Sequence, residues 1–270
     1  MSPSVSRKTC YVASEQKLAG AQTFRHARLM MRRRDRRRQE TIDDIKDTAR
    51  SQLADAGPAG ISMRAIARHL AMTASAVHYY FPSRQALLDA LVVDGFTSLA
   101  EALRATYEGA APRPPGEQWL AVCQAHRAWA LDHQAEYLLL YGHDGACAVK
   151  QRNPRVDQAF SRVVNVLFSI MRRAVAAGEI DTERIEAAIP ASLRRQLATW
   201  RDEDDGGGDL PDGALAACMI TYAQLHGAIT LELLGHVPPP LADYSALFDL
   251  EMVHAYAALC RQPFAPHQRR

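Results

Sequence analysis

The sequence predicts an all-α fold, and three observations support this prediction. Aromatic residues make up only 7% of the chain while alanine and leucine are abundant, a balance that favours helices over sheets. Apolar residues recur at three- and four-residue spacing along most of the chain, as they do on one face of a helix. No alternating apolar and polar pattern of convincing length indicates a strand. With 270 residues, 48% of them hydrophobic, the chain can bury a substantial core.

The composition also bears on where the protein works. No segment approaches the roughly 20 uninterrupted apolar residues of a membrane span, so we expect no membrane association. The N-terminus is rich in arginine but lacks the apolar stretch of a secretory signal. The five cysteines are scattered without paired spacing: Cys10, Cys123, Cys147, Cys218 and Cys260. This pattern favours free thiols in a cytoplasmic protein over a disulfide framework.

Positive charge is concentrated near the N-terminus. Although the net charge is only +2, eight arginines lie within residues 25–38 and are opposed there only by Asp35. Such a cluster is suited to a polyanion. Residues 1–35 show no usable hydrophobic period, and we predict that they form a disordered basic arm. Met30 and Met31 are candidates for the natural start of the protein.

The next segment predicts two short helices between two longer ones. A helix from about Arg36 ends at Gly57-Pro58. Ser62 can cap a short helix that carries Ile66, Ala67 and Leu70 on one face, and Thr73 can cap a second from Ala74 to about Tyr80. Ser83 can then cap a long helix to about residue 108. Two short helices joined by a three- to four-residue turn form a helix-turn-helix.

The second short helix has the residue types that a recognition helix needs. We expect Ile66, Ala67 and Leu70 to pack against Val77, with Tyr80 and Phe81 also in the core. The opposite face carries small or polar groups that can approach base edges and phosphates in a major groove. These residues are Thr73, Ala74, Ser75, Ala76 and Tyr79.

These residues resemble the DNA-binding domain of the tetracycline-repressor (TetR/AcrR) family. The resemblance covers about residues 38–90 without an insertion and includes Ile61 to Thr73, Val77 to Arg84, and Leu87-Leu88. It implies a three-helix helix-turn-helix domain over residues 36–90. It further implies a helical regulatory, ligand-binding and dimerisation domain over residues 91–262, followed by a disordered tail over 263–270.

The resemblance implies most of the residues expected to bind DNA, and the arginine run beside the helix-turn-helix adds Arg36, Arg37 and Arg38 as contacts to phosphates or the minor groove. The set comprises Arg36, Arg37, Arg38, Ser62, Met63, Arg64, Thr73, Ala74, Ser75, Ala76, His78, Tyr79 and Arg84. Arg84 stands where the family commonly has a phosphate-binding lysine, and His78 stands where a phosphate-contacting tyrosine is usual. Ala71 replaces the usual turn glycine, which costs about 1 kcal/mol if the backbone there is left-handed.

The rest of the chain predicts six further helices, after a linker at residues 110–116. They lie at about 117–131, 133–141, 154–178, 185–200, 212–235 and 243–261. Tyr222, His226 and Gly227 resemble the Trp-x-x-x-His-Gly element of a family regulatory domain. Near-heptad apolar stripes run from Leu215 to Leu233 and from Leu247 to Cys260, which favours a homodimer built through the last two helices.

An effector cavity would lie among the middle helices. Aromatic, methionine and histidine residues there could line it, although residues at such spacing also fill ordinary cores. The candidates are His126, Trp129, Tyr137, Tyr141, Phe168, Met171, Trp200, Tyr222 and His226. Together these features predict a repressor that binds a quasi-palindromic operator in double-stranded DNA as a dimer, that an unidentified small molecule releases, and that needs no cofactor.

The sequence also bears on two other classes of function. No nucleophile elbow, phosphate-binding glycine loop or paired-carboxylate element is present, so we expect no enzymatic activity. A metal- or redox-sensing regulator is an alternative, because Cys123 and His126 lie three residues apart. His133, His143 and Cys147 follow nearby.

Overall fold

The computed structural model describes residues 33–142, 153–202, 208–238 and 243–262, and over these ranges the all-α prediction is confirmed. The first helix, α1, covers 33–56, and a short 3₁₀ turn follows at Pro58–Gly60. The other helices are α2 (Met63–His69), α3 (Ala74–Tyr80), α4 (Arg84–Gly109), α5 (Pro115–Asp132), α6 (Gln134–Tyr141), α7 (Pro154–Ala176), α8 (Thr182–Ala187), α9 (Ala191–Asp202), α10 (Asp212–Leu233) and α11 (Ser245–Ala257).

The N-terminal compact unit contains the described residues up to Gln52 together with Ile61–Arg84. Its core includes Ile45 and Ala49 from α1, Ile66 from α2 and Val77 from α3, none of which is exposed. Phe81 is buried as predicted, whereas Leu70 and Tyr80 are only half-buried. The helix-turn-helix packing is therefore built by the residues expected, with a smaller contribution from Leu70.

The turn between α2 and α3 contains a left-handed alanine. Ala71 has a φ of 51°, so the condition under which its β-carbon is costly is met. The backbone N–H of Met72 donates to the carbonyl of Ala67 at 2.8 Å and closes the turn. A β-carbon disfavours this conformation, so the packing of α2 on α3 must hold Ala71 in place.

The C-terminal compact unit comprises Leu53–Gly60 and the described residues from Gln85 onward, with α10 at its centre. This helix packs against α5, α7, α8, α9 and α11. It lies so close to α8 that a β-carbon at Gly213 would clash with the carbonyl oxygen of Thr182. The indole of Trp119 on α5 donates to the carbonyl of Met252 at 3.0 Å, which holds α5 to α11.

An ion pair connects α5, α10 and α11. The guanidinium of Arg127 donates to both carboxylate oxygens of Glu232, at 2.7 and 2.6 Å, and also to the hydroxyl of Ser245 at 3.2 Å. It lies over the ring of Phe248, with 5.4 Å from the guanidinium carbon to the ring centre. Both charged side chains are only 16% exposed, so removing either would leave the other buried without its partner.

Three helix bounds differ from the sequence prediction. The segment predicted as one helix over 185–200 is two helices, α8 and α9, separated before Pro190. Proline disfavours helical backbone at the residue before it and lacks the N–H that a helix interior requires. Helix α5 begins inside the predicted linker, at Pro115, because proline is well suited to a first helical position. Helix α1 is already present at residues 33–35, which the sequence assigned to the arm.

Helix α10 is also the one described helix with the length and composition of a membrane span. Its apolar window has a mean hydropathy of 1.3. Half of that window is buried inside the protein, as it is in a core helix. The expectation of no membrane association is therefore not tested by this helix.

We predict that Ala71→Gly stabilises the N-terminal unit by about 1 kcal/mol, because glycine adopts a positive φ without the steric cost of a β-carbon. Differential scanning calorimetry of the full chain should show a higher melting temperature for the transition of this unit. Ser51→Gly is the matched control: this exposed α1 residue belongs to the same unit and is in ordinary helical backbone, so glycine there should lower the stability of the unit. A loss of stability in Ala71→Gly would contradict the assignment of strain.

Candidate nucleic-acid interface and sensor core

The two short helices of the N-terminal unit begin at side-chain caps. The Ser62 hydroxyl accepts from the backbone N–H of Ala65 at 3.3 Å, and the Ser62 backbone N–H donates to the side-chain carbonyl of Gln52 at 2.8 Å. The Thr73 hydroxyl accepts from the N–H of Ala76 at 3.1 Å. These caps fix where α2 and α3 begin, and hence which residues their first turns present.

The exposed face of α3 carries the residues that the sequence assigned to it. Ala74 and Ser75 are exposed, Ala76 is half-buried, and Val77 on the opposite side is fully buried. The hydroxyls of Thr73 and Ser75 lie 3.0 Å apart and hydrogen-bond to each other. A hydroxyl that caps the helix still has bonding capacity left, so both groups can also bond to a ligand.

Tyr79 is the most prominent side chain on this face and is 65% exposed. Its hydroxyl accepts a hydrogen bond from the guanidinium of Arg38 at 3.4 Å. The same guanidinium lies over the rings of Tyr79 and Tyr80, 5.6 and 5.7 Å from their centres. The sequence identified Arg38 and Tyr79 separately, but their contact depends on how α1 packs on α3.

A basic cleft surrounds this contact. It has a volume of about 710 Å³ and is lined by α1 and α3, with four arginines, Asp35, Thr41 and the two tyrosines on its walls. The arginines are Arg33, Arg34, Arg37 and Arg38. Arg36 is not part of the wall, and its guanidinium pairs with Glu40 at 3.4 Å. This positively charged cleft lies beside the small side chains on the exposed face of α3, and it can bind phosphate groups.

The remaining residues expected to bind DNA have different environments. Arg64 is exposed and Met63 is half-buried on α2. His78 is exposed, with its Nδ1 3.3 Å from the carbonyl oxygen of Pro82. The Nε of Arg84 donates to the carbonyl of Ile61 at 3.1 Å, so this side chain holds the start of α4 to the start of α2.

In the C-terminal unit, five of the nine proposed effector-site residues form one cluster of rings, which we call the sensor core. It consists of His126 on α5, Tyr137 and Tyr141 on α6, and Tyr222 and His226 on α10. Around His226, the ring centres of Tyr141 and Tyr222 lie at 4.2 Å and that of His126 at 5.0 Å. Residues far apart in sequence therefore converge at one point.

Burial determines the charge of the sensor core. It lowers the pKa of His226 to about 3. Burial, together with the nearby His226, lowers the pKa of His126 well below its usual value. Burial also raises the pKa of Tyr137 to about 12. Both imidazoles and this phenol are therefore uncharged at neutral pH.

Hydrogen bonding in the sensor core is incomplete. The Tyr137 hydroxyl lies 2.9 Å from Nδ1 of His226 and 3.4 Å from the hydroxyl of Thr230. Both ring nitrogens of His126 and Nε2 of His226 are buried and have no hydrogen-bond partner among the residues described. Thr230 is not among the residues predicted from the sequence, although its position one helical turn after His226 could have indicated it.

The other four candidates lie outside this cluster. The indole of Trp129 donates to the hydroxyl of Ser98 at 3.0 Å and stacks on His133, with 4.8 Å between ring centres. Phe168 packs against Trp200, with 5.7 Å between ring centres, and Met171 is buried on α7. Spacing along the sequence could not distinguish these core contacts from residues that face a shared point.

The described residues give no support to a metal site. Across the four described ranges, no group of three histidine, cysteine or acidic side chains converges. Cys123 is fully buried, and burial raises the pKa of its thiol well above the ordinary value. His133 stacks on Trp129, while His143 and Cys147 lie outside the described residues. The metal- and redox-sensing alternative therefore receives no support.

Two family models match the chain. Residues 45–91 match the model for bacterial regulatory proteins of the tetR family, and residues 119–255 match the model for the tetracyclin repressor-like C-terminal domain. The two matches correspond to the helix-turn-helix segment and to the region that holds the sensor core.

Named relatives agree with these models. The HTH-type transcriptional regulators Mb1846 of Mycobacterium bovis and Rv1816 of Mycobacterium tuberculosis are each 33% identical to the chain. Each match spans 223 residues, which is 82% of this chain and 92% of the relative.

Two solved structures share the fold. Regulatory protein SCO4313 is 27% identical with a TM-score of 0.65, covering 82% of this chain and 97% of its own. A protein from Rhodococcus sp. RHA1 is 24% identical with a TM-score of 0.62, covering 82% of this chain and 95% of its own. The family models and relatives describe regulators of transcription rather than catalysts, so the protein is not an enzyme. The chain belongs to the tetR family of helix-turn-helix, DNA-binding transcriptional regulators.

Proposed function

We propose that the protein is a cytoplasmic repressor that binds a quasi-palindromic operator as a homodimer and is released from it by a small molecule. The observation that carries this proposal is the exposed face of α3, on which Ala74 and Ser75 are open to solvent while Val77 on the opposite side is buried. Small side chains allow a helix to enter a major groove closely and to contact base edges.

The proposed DNA contacts fall into two groups. Thr73, Ala74, Ser75 and Ala76 would contact bases, because they lie at the N-terminal half of α3. The others would contact the phosphate backbone: Arg36, Arg37, Arg38, Ser62, Met63, Arg64, His78, Tyr79 and Arg84. Phosphate contacts fix the position of the protein and make its affinity depend on salt, whereas base contacts give it sequence preference.

An exposed apolar face on the last two helices supports the dimer. Leu250 is 52% exposed and Leu231 is 48% exposed, and both line a groove of about 730 Å³ between α10 and α11. A second copy of this helix pair would cover the groove and form a four-helix bundle. Gly227 lies in the groove with open space where a β-carbon would be, which leaves room for a close helix approach.

The stripe that the sequence assigned to this interface on α10 is largely internal. Leu215, Leu225 and Ile229 are buried within the protomer, and Glu232 pairs with Arg127. The exposed apolar residues of α10 lie on another face and include Met219, Ile220 and Leu231. The proposed interface therefore uses the predicted helices, 212–235 and 243–261, but a different face of α10.

The sensor core supports release by a ligand. It lies inside the C-terminal unit and carries polar atoms whose hydrogen-bonding capacity the described residues do not use. Helix α4 begins at Arg84 and continues to Gly109, so a ligand could act by changing the position of this helix. Release requires that the ligand bind the DNA-free state more tightly than the DNA-bound state.

We predict that Ser75→Asp weakens operator binding at least tenfold, because a carboxylate on this exposed position would face the negative charge of DNA. Electrophoretic mobility shifts with an operator selected from random duplexes would measure the loss. Ser51→Asp makes the same charge change at an exposed α1 residue outside the proposed contacts. Equal effects of the two substitutions would contradict the proposed orientation of α3.

We predict that Leu250→Glu converts the dimer into monomers, because a charged group on the groove would be buried without a partner in the assembled bundle. Sedimentation velocity should show the smaller species at micromolar protein concentration. Leu193→Glu, on α9, is the matched control at an apolar residue that is 36% exposed. If the Leu250→Glu variant remained a dimer, the interface would have to lie elsewhere.

A further inference from the structure

The sensor core holds more polarity than the fold requires. Both nitrogens of His126 and Nε2 of His226 lack a hydrogen-bond partner within the part of the chain that the structure describes. His126 is fully buried, with an exposed fraction of zero. Burying polar atoms unsatisfied is unfavourable, and each such group in a native protein calls for an explanation. The packing of α5 on α10 could be made by apolar residues of the same size.

The unsatisfied nitrogens point to a ligand that both donates and accepts hydrogen bonds. A neutral imidazole has one N–H donor and one acceptor nitrogen, so His126 offers one of each. Nδ1 of His226 is already engaged by the Tyr137 hydroxyl at 2.9 Å, which leaves Nε2 as its available atom. The rings of His126 and His226 meet edge to face with 5.0 Å between their centres. The unsatisfied nitrogens of the two histidines therefore lie close enough together to contact one small ligand.

The described surroundings of the two imidazoles disfavour a charged ligand. The pKa of His226 is lowered by burial, and that of His126 by burial and by His226. Among the described residues, no carboxylate or guanidinium contributes to either shift. A charged ligand would lose its hydration without gaining a counter-charge, which costs more than burying a neutral polar group.

The surrounding side chains favour a flat ring. Tyr137, Tyr141 and Tyr222 supply aromatic faces and edges around the two imidazoles. Tyr222 is only half-buried, so this ring of the sensor core is partly exposed to solvent.

We propose that the effector is a small, uncharged aromatic compound bearing a hydroxyl group, bound among these rings by hydrogen bonds to His126 and His226. The proposal rests on the proposed function, in which the C-terminal unit senses a ligand. It adds the chemical class of that ligand and the two residues that recognise it. Such a hydroxyl can donate to one imidazole nitrogen and accept from another, while the ring packs against the tyrosines.

Three probes of similar size and shape test the chemical class. They are 4-methylphenol, toluene, which lacks the hydroxyl, and 4-methylbenzoate, which is charged. Isothermal titration calorimetry of the full chain should show binding of 4-methylphenol at least tenfold tighter than that of either other compound. Toluene binding as tightly as 4-methylphenol would overturn the proposal, as would a preference for the carboxylate or no binding of 4-methylphenol.

Substitutions test the residues. His126→Phe should weaken 4-methylphenol at least tenfold and leave toluene unchanged, because it removes the hydrogen bonds and keeps an aromatic ring. His133→Phe is the matched control, since His133 stacks on Trp129 outside the sensor core. Because His126→Phe removes unsatisfied nitrogens, the variant should unfold at a temperature no lower than the wild type. Equal affinities of the two variants for 4-methylphenol would overturn the role of His126.

Nitrogen-15 spectra of the histidine rings test the same contacts without a substitution. Adding 4-methylphenol to the wild-type chain should shift the signals of His126 and His226 and leave that of His133 in place. Unshifted signals, or stoichiometric zinc binding that His126→Phe abolishes, would overturn the proposal. Operator affinity is measured on the same samples. If the protein binds its operator normally but does not bind 4-methylphenol, the proposed ligand class is refuted and the proposed DNA binding is not. Binding of 4-methylphenol without any change in operator affinity refutes release instead.

Discussion

The left-handed turn between α2 and α3 is the constraint on which the DNA-binding end depends. Ala71 takes up a positive φ, Met72 bonds back to Ala67, and Thr73 starts the next helix immediately. Because these three residues follow one another directly, the short turn fixes the direction of α3 relative to α2. Val77 then faces the core while Ser75 and Tyr79 face outward. The packing of the unit maintains this unfavourable backbone conformation, and the surface that results is the proposed DNA-binding surface.

The C-terminal unit separates two kinds of contact on a single helix. One face of α10 packs within the protomer and contributes His226 to the sensor core, while another presents Leu231 to the open groove. Glu232 holds this helix to α5, the helix that also carries His126. A ligand that separated the two imidazoles would therefore act on α10, which also forms part of the proposed dimer interface. Such a shared helix provides a physical route for coupling between a binding site and an interface.

Local signals in the sequence predicted local structure well. The caps at Ser62 and Thr73, the small residue Ala67 and the strained Ala71 all follow from interactions within a few residues. Contacts between distant segments were not predictable in the same way. Apolar spacing identified α10 but could not say which of its faces meets the protomer and which meets solvent, since both are apolar. Trp129 and Tyr137 are equally aromatic, and only the fold shows that Trp129 bonds Ser98 while Tyr137 meets His226.

In the proposed function, two copies of α3 held by one dimer recognise a symmetric DNA site. Binding sites selected from a random duplex library by the full chain, followed by hydroxyl-radical footprinting, would reveal that symmetry. A quasi-palindrome should be enriched, with two protected major-groove faces separated by about one turn of DNA or a multiple of it. Enrichment of a single unpaired half-site, or binding with no sequence preference at moderate salt, would contradict the proposed function.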